Sequence, residues 1–365
     1  MQQDYLISGE RRAFELGNRG PIEFDQSGDL IQDILDAYWR TGFYVFEGAI
    51  SPSEMREIVA EYEALLERVP TDSKSTTDSQ GRPAVGLDYG YPPFRFVRPL
   101  SDPHGGTDLT NGRYPSKMSE PEPPIDAPEE VLLQIHGMLH YMESALRLYG
   151  HPQLLTIAEQ INGPDFTPFT DTIWVKPAGL GASVSWHQDG TTLWQDPELD
   201  AGTHGFNFMT NFYPTNPENA LWVIPETHTI GKIDIKRMVE ENGSDELPGA
   251  VPMLVQPGDV AICNRQVLHG SFANVSPTGR ATFVFGFHRR ASVLKSGWEG
   301  VAYDEARVHE RSRAIALAID ARSQHFPDEI PYQYQPLSGE TEKNRWNHDA
   351  QEQLLRDYNL NDLVI

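Results

Sequence analysis

The sequence predicts a mainly β protein, a sandwich or jelly roll of short strands rather than a parallel α/β sheet, with helices before and after it. Three observations lead there. Between residues 169 and 289, short runs of β-branched and aromatic residues alternate with turns containing Gly and Pro. On either side of that stretch, apolar residues recur at helical spacing. With 365 residues, 39% of them hydrophobic, and 7 Trp, 14 Tyr and 16 Phe, the chain can bury a sizeable core. The same arithmetic excludes other classes. A net charge of −24, spread along the whole chain, repels nucleic acid and anionic membranes at long range. The single cysteine, Cys263, excludes an internal disulfide and a Cys-based zinc or iron–sulfur site. No apolar run approaches the roughly 20 residues a membrane helix needs. Met1-Gln2-Gln3-Asp4-Tyr5 lacks the basic start of a signal peptide. The expectation is a cytoplasmic protein whose partner is a small molecule, not nucleic acid or membrane.

Taken in order, a helix is expected over Asp29–Trp39, stopping at Thr41-Gly42, and a strand over Gly42–Phe46. Ser51-Pro52-Ser53-Glu54 opens a helix running to about Arg68. Ser51 is its cap, Pro52 suits the first turn, and Glu54 completes a capping box. From Pro70 to Pro128 the composition turns to Pro, Gly, Ser, Thr and Asp, a length that marks a functional or disordered segment rather than a simple connector. Its middle, Asp88–Arg98, is aromatic and basic, and suits either the wall or cover of a pocket or an ordered surface loop. Helices are expected over Glu129–Tyr149 and Pro152–Ile161. The first would carry His136 and His140 one turn apart, without the Glu of a zinc-protease helix, so both read as structural. Strands are expected over Thr170–Lys176, Phe206–Phe212, Leu221–Ile224, Met253–Gln256, Val260–Asn264 and Ala281–His288. Helices over Tyr303–Arg322 and His348–Tyr358 close the chain.

Chemistry concentrates in the β region. In Trp186-His187-Gln188-Asp189, residues two apart on an extended chain point the same way, so an imidazole and a carboxylate face one side. A distant His269, in Leu268-His269-Gly270-Ser271, completes the two-His, one-carboxylate set that holds non-haem Fe(II) and leaves positions open for substrates. Arg280 follows beyond a turn, where antiparallel neighbours would bring its guanidinium beside the metal pocket to hold a dicarboxylate through two hydrogen bonds. A surface ion pair is the alternative for Arg280.

Together with Asn219–His228, Pro257-Gly258-Asp259-Val260 and the opening segments Thr41–Val45 and Ser51–Glu54, these motifs resemble the phytanoyl-CoA dioxygenase family of Fe(II)/2-oxoglutarate-dependent oxygenases. The resemblance implies a double-stranded β-helix (jelly roll, cupin-like) core, with His187, Asp189 and His269 as iron ligands. It implies that Arg280 and Ser271 bind the distal carboxylate of 2-oxoglutarate, with O2 as the oxidant. Asn211, Trp186 and Asn207 are the further pocket residues it suggests, with packing or buried hydrogen bonding as equal alternatives. Residues 1–365 would then form one oxygenase domain, with a helical part over 1–165, the core over 166–292 and a helical extension over 293–365. Met209 and Asn219-Ala220 depart from the family's common residues and bear on the substrate, not on iron. His228 reads as structural, and His204 is not counted among the ligands. Because Asp189 supplies a carboxylate, hydroxylation or a related oxidation is expected, and chlorination is not. A cupin-type isomerase or hydrolase and a non-catalytic β-barrel binding protein are the rival readings. Arg280 argues against the first, and the intact triad against the second.

Overall fold

Alternation along the strands decides which side chains meet the helices and which meet the interior. In the computed structural model, residues 2–89, 92–189, 204–295, 297–298, 301–356 and 358 are described. The strands of the first part are β1 (Arg19–Gly20), β2 (Phe43–Phe46), β3 (Phe94–Val97), β4 (Val131–His136), β5 (Thr167–Lys176) and β6 (Val184–His187). Those that follow are β7 (Gly205–Asn211), β8 (Leu221–Ile224), β9 (Val251–Met253), β10 (Val260–Asn264), β11 (Leu268–Ser271) and β12 (Arg280–His288). They form an eight-stranded sheet in the order β1-β2-β10-β7-β12-β5-β4-β3 and a four-stranded sheet in the order β6-β11-β8-β9. Every pair is antiparallel except β1 with β2. This is the double-stranded β-helix.

The helices are α1 (Gln3–Glu15), α2 (Gln32–Thr41), α3 (Pro52–Leu66), α4 (Met138–Tyr141), α5 (Glu143–Tyr149), α6 (Pro152–Asn162), α7 (Ile235–Asn242), α8 (Arg290–Lys295), α9 (Glu305–His325) and α10 (His348–Leu355). On β12, Phe283, Phe285 and Phe287 face outward into one core with Ile58 of α3, Leu146 of α5, Leu155 of α6 and Ile315 of α9. Each fully buried Phe contributes roughly 1.5–3 kcal/mol by leaving water. The alternate residues Arg280, Thr282 and Val284 face a cavity between the sheets. The small sheet is backed by α1. Tyr5 stacks on Trp222 at 4.7 Å, and Gly9 allows the approach, since a Cβ there would sit 2.5 Å from the Trp222 ring.

Four expectations are corrected. Glu129–Tyr149 is not one helix. Val131–His136 is a strand that inserts between β3 and β5, and α4 and α5 follow only after Gly137, which adopts a left-handed φ of +80°. Leu133 and Ile135 are fully buried while Gln134 and His136 face the cavity, a period of two that pairing with β5 stabilises over the local helical pattern. His136 and His140 therefore do not share a helix face. The Ser51 side chain does accept from the Glu54 N–H at 3.2 Å, but no capping box closes: the Glu54 carboxylate takes a hydrogen bond from Arg322 Nη1 at 2.7 Å instead. The stretch 70–128 contains β3, which extends the large sheet. Helices α1, α7 and α8 were not foreseen.

Candidate metal centre

His187 on β6 and His269 on β11 are direct cross-strand partners. Directly opposite residues present their side chains on one face, and here the two imidazole centroids lie 4.1 Å apart. Asp189 follows two residues after His187, and its backbone N–H donates to Arg265 O at 2.7 Å, which fixes the chain just beyond the strand. The possible ligand atoms of the three side chains all lie within 4.8 Å of one another, and all three residues are buried. Each imidazole is oriented from behind: His187 Nδ1 meets Ser185 O at 2.8 Å and His269 Nδ1 meets Val267 O at 2.9 Å. Since a carbonyl only accepts, Nδ1 carries the proton in both rings, and each Nε2 lone pair is left to ligate a metal. Burial, with His269 beside it, holds the His187 imidazole well below its usual range, so the ring is neutral. Burial acts to raise the Asp189 carboxyl, but the Arg113 and Arg265 guanidiniums hold it below the usual carboxylate range. Neutral imidazoles and an ionised carboxylate are the donor set that suits Fe(II).

The triad opens onto a cavity of about 1010 Å³ between the two sheets, which is ample for a co-substrate and a second molecule. Arg280, Ser271, Asn207 and Asn211 line the same cavity. Asn211 Oδ1 accepts from Thr282 Oγ1 at 2.6 Å, and Asn207 Nδ2 donates to Asp189 Oδ2 at 3.4 Å. Arg280 Nη1 donates to Asn219 O at 2.8 Å, while Arg280 Nε and Ser271 Oγ are buried with no hydrogen-bond partner among the described residues. Two unsatisfied buried groups at one end of a cavity fit a carboxylate there. Arg280 reaches this place by a route different from the one expected. β11 and β12 are not hairpin neighbours; they belong to opposite sheets, and Arg280 faces the triad across the cavity.

Trp186 is a correction. With His187 facing inward, period two turns Trp186 outward, where its Nε1 donates to Asp245 O at 2.7 Å and its ring meets Phe272 edge-on. It packs behind the sheet and does not line the cavity. His228 is structural as expected, with Nε2 donating to Trp39 O at 2.9 Å, and His204 Nδ1 meets Ser292 Oγ at 3.0 Å outside the cavity. His136, read as structural, does line the cavity, where Nδ1 meets Thr172 Oγ1 at 3.1 Å.

The long loop supplies residues that the sequence did not place beside the triad. Arg113 Nη1 donates to Asp189 Oδ1 at 3.2 Å, Tyr114 packs against His187 with centroids 4.6 Å apart, and His104 stacks on Tyr114 at 4.8 Å. Asp102 anchors this arch, accepting from Gly105 N at 3.0 Å, from Met118 N at 2.7 Å and from Ser185 Oγ at 2.6 Å. Arg95 and Arg113 line the cavity, whereas Arg98 turns out to Glu120 at 2.6 Å. Basic residues in an otherwise acidic loop were the available signal.

Comparisons with known proteins agree with this geometry. A rice protein (Oryza sativa subsp. japonica), "Phytanoyl-CoA dioxygenase 1", is 30% identical over 115 residues, which is 29% of this chain. The chain spans only 38% of that relative's length. The crystal structure of EctD from S. alaskensis with bound Fe superposes with a TM-score of 0.50 at 18% identity, covering 75% of this chain and 82% of that one. The EctD structure with 2-oxoglutarate and 5-hydroxyectoine gives a TM-score of 0.51 at 17% identity, covering 79% and 86%. These two likenesses establish the fold. Residues 38–282, from within α2 to the start of β12 and with the whole His–Asp–His cluster inside, match the phytanoyl-CoA dioxygenase (PhyH) family of Fe(II)/2-oxoglutarate-dependent oxygenases, and the chain belongs to that family.

Proposed function

We propose that the protein is an Fe(II)- and 2-oxoglutarate-dependent dioxygenase that hydroxylates a small molecule, with His187, Asp189 and His269 as the iron ligands. One observation carries this reading: the triad and the Arg280–Ser271 pair open onto the same cavity. Bound iron, with 2-oxoglutarate and O2, supplies the oxidising power and yields succinate, CO2 and an oxidised substrate. The chain's own residues do the rest. The Nδ1–H bonds to Ser185 O and Val267 O hold both imidazoles in the ligating tautomer. Arg113 holds the Asp189 carboxylate in place, and Tyr114 closes over His187 to keep water out. Arg280 and Ser271 would take the distal carboxylate of 2-oxoglutarate. The rest of the wall carries Arg95, Gln134, Thr170 and Thr172 beside Phe94 and Trp174, which favours a polar substrate of moderate size. The reading extends to the whole chain as one functional unit, because α1 backs the triad's sheet and α10 packs on α4.

The test combines turnover with binding. The full chain, given Fe(II), ascorbate, 2-oxoglutarate and air, is expected to form succinate above an iron-free control. Fe(II) added without air is expected to raise the melting temperature of the wild type and not of His269→Ala, because only the intact triad binds it. In chloride buffer, mass spectrometry of candidate products should show added oxygen and no chlorine, since the Asp189 carboxylate occupies the position a halide would need. A chlorinated product would show that the carboxylate is wrongly assigned.

A further inference from the structure

Lys176 is the cation that the site as described leaves unused. It ends β5 with 1% of its surface exposed. Its Nζ donates to Ala182 O and Phe272 O, both at 2.5 Å, and reaches Ser271 O at 3.4 Å. Lys176 is also the direct cross-strand partner of Arg280. Thr170, Thr172 and Trp174 on β5 face the cavity, as do Arg280 and Thr282 on β12, so the stems of Lys176 and Arg280 share that face.

Two like charges directly opposite on neighbouring strands are destabilising, and burying both compounds the cost. Among the described residues, neither cation has a carboxylate within ion-pair distance. Asp102 is the acid whose field favours the charge on Lys176, but its oxygens are taken by Gly105 N, Met118 N and Ser185 Oγ. Burial and the neighbouring Arg280 together hold the Lys176 ammonium well below the usual lysine range. An amide side chain would satisfy the same carbonyls with no charge to desolvate. Nζ nevertheless faces three carbonyls, all acceptors for an ammonium, so the corner holds two buried cations, an unpartnered Ser271 hydroxyl and an unpartnered Arg280 Nε–H, with no counter-ion among the described residues.

We propose that Lys176 is a positioning residue for the co-substrate's distal carboxylate, tethering the Ser271–Phe272 backbone and supplying the second buried positive charge beside Arg280. This rests on the oxygenase reading above. The anion discharges the repulsion between the two cations, and the corner therefore selects a keto acid with a carboxylate at its far end over one without.

The experiment is calorimetric titration of the full chain, loaded with Mn(II) in place of iron, with no turnover. The two ligands are 2-oxoglutarate and 2-oxobutanoate, which keeps the keto-acid head and lacks the distal carboxylate. Lys176→Gln retains donors for the carbonyls and is expected to weaken 2-oxoglutarate at least about tenfold while leaving 2-oxobutanoate within about twofold. Arg280→Gln is measured alongside so that the answer does not hang on one variant folding. With Lys176 intact, it should keep at least about a fivefold preference for 2-oxoglutarate. Equal weakening of both ligands in Lys176→Gln, unchanged 2-oxoglutarate affinity there, or loss of all preference in Arg280→Gln overturns the proposal. A wild type that takes Mn(II) but binds no 2-oxoglutarate overturns the oxygenase reading itself.

Discussion

Single residues divide the site into a cluster able to ligate a metal and a corner of buried positive charge. His187 and His269 are aimed by carbonyls behind them, and Asp189 stays ionised because Arg113 and Arg265 outweigh its burial. Arg280 has no such company. Burial lowers it to about 10, still far above neutrality, so it keeps its charge at physiological pH. Arg280→Leu is expected to raise the KM for 2-oxoglutarate far more than that for the substrate. A buried carboxylate left without its cation costs about 2–5 kcal/mol. Steady-state kinetics varying each substrate in turn checks this, and equal changes in both constants would assign Arg280 to the scaffold alone.

At the scale of elements, the helical layer is joined to itself by one buried ion pair. Glu54, in the first turn of α3, meets Arg322, near the end of α9, with both side chains 4% exposed. Arg322 also pairs with Glu329 at 2.6 Å and lies over the Phe326 ring. Glu54→Ala leaves that guanidinium half-compensated and is expected to cost about 3 kcal/mol of stability. Urea denaturation measures it, and 2-oxoglutarate affinity should be unchanged because the pair lies on the far side of the large sheet from the cavity. A loss of affinity equal to the loss of stability would show that the helical layer shapes the site directly.

For the whole molecule, buried neutral histidines set the response to acid. Burial pushes His104 and His151 down to about 3 and His136 down to about 4, with nearby arginines adding to each. In the unfolded chain these rings titrate near 6.5. Below that pH the unfolded state binds protons that the folded state refuses, so stability falls as pH drops from about 6.5 toward the folded values. One such ring accounts for about 2 kcal/mol at pH 5. His151→Gln, which stays neutral, should therefore flatten the change in urea midpoint between pH 7 and pH 5. An unaltered slope would mean that the carboxylates alone set acid lability.

How much of this was legible in the chain depends on the range of the interactions involved. Period-two alternation is local, so the sequence alone determined β2, β5, β7, β8, β9, β10 and β12 to within a few residues, the facing of His187 and Asp189, and the inward run Asn207, Met209, Asn211. The helix starts at Ser51 and Pro152 were legible for the same reason. Trp186 was assigned to the pocket and is not there, although its outward orientation follows from His187 pointing inward. What only the tertiary structure decided were pairings between distant segments. Val131–His136 becomes a strand because β5 offers it an edge, and Glu54 abandons its own helix end for Arg322, 268 residues away. The arch of His104, Arg113 and Tyr114 has no periodicity to read and is held by Asp102 against Ser185. Lys176 was only the last residue of the expected strand Thr170–Lys176. Only the register with Arg280 and the closure of the second sheet show it to be buried beside another cation, because burial belongs to the packed molecule and not to any window of its sequence.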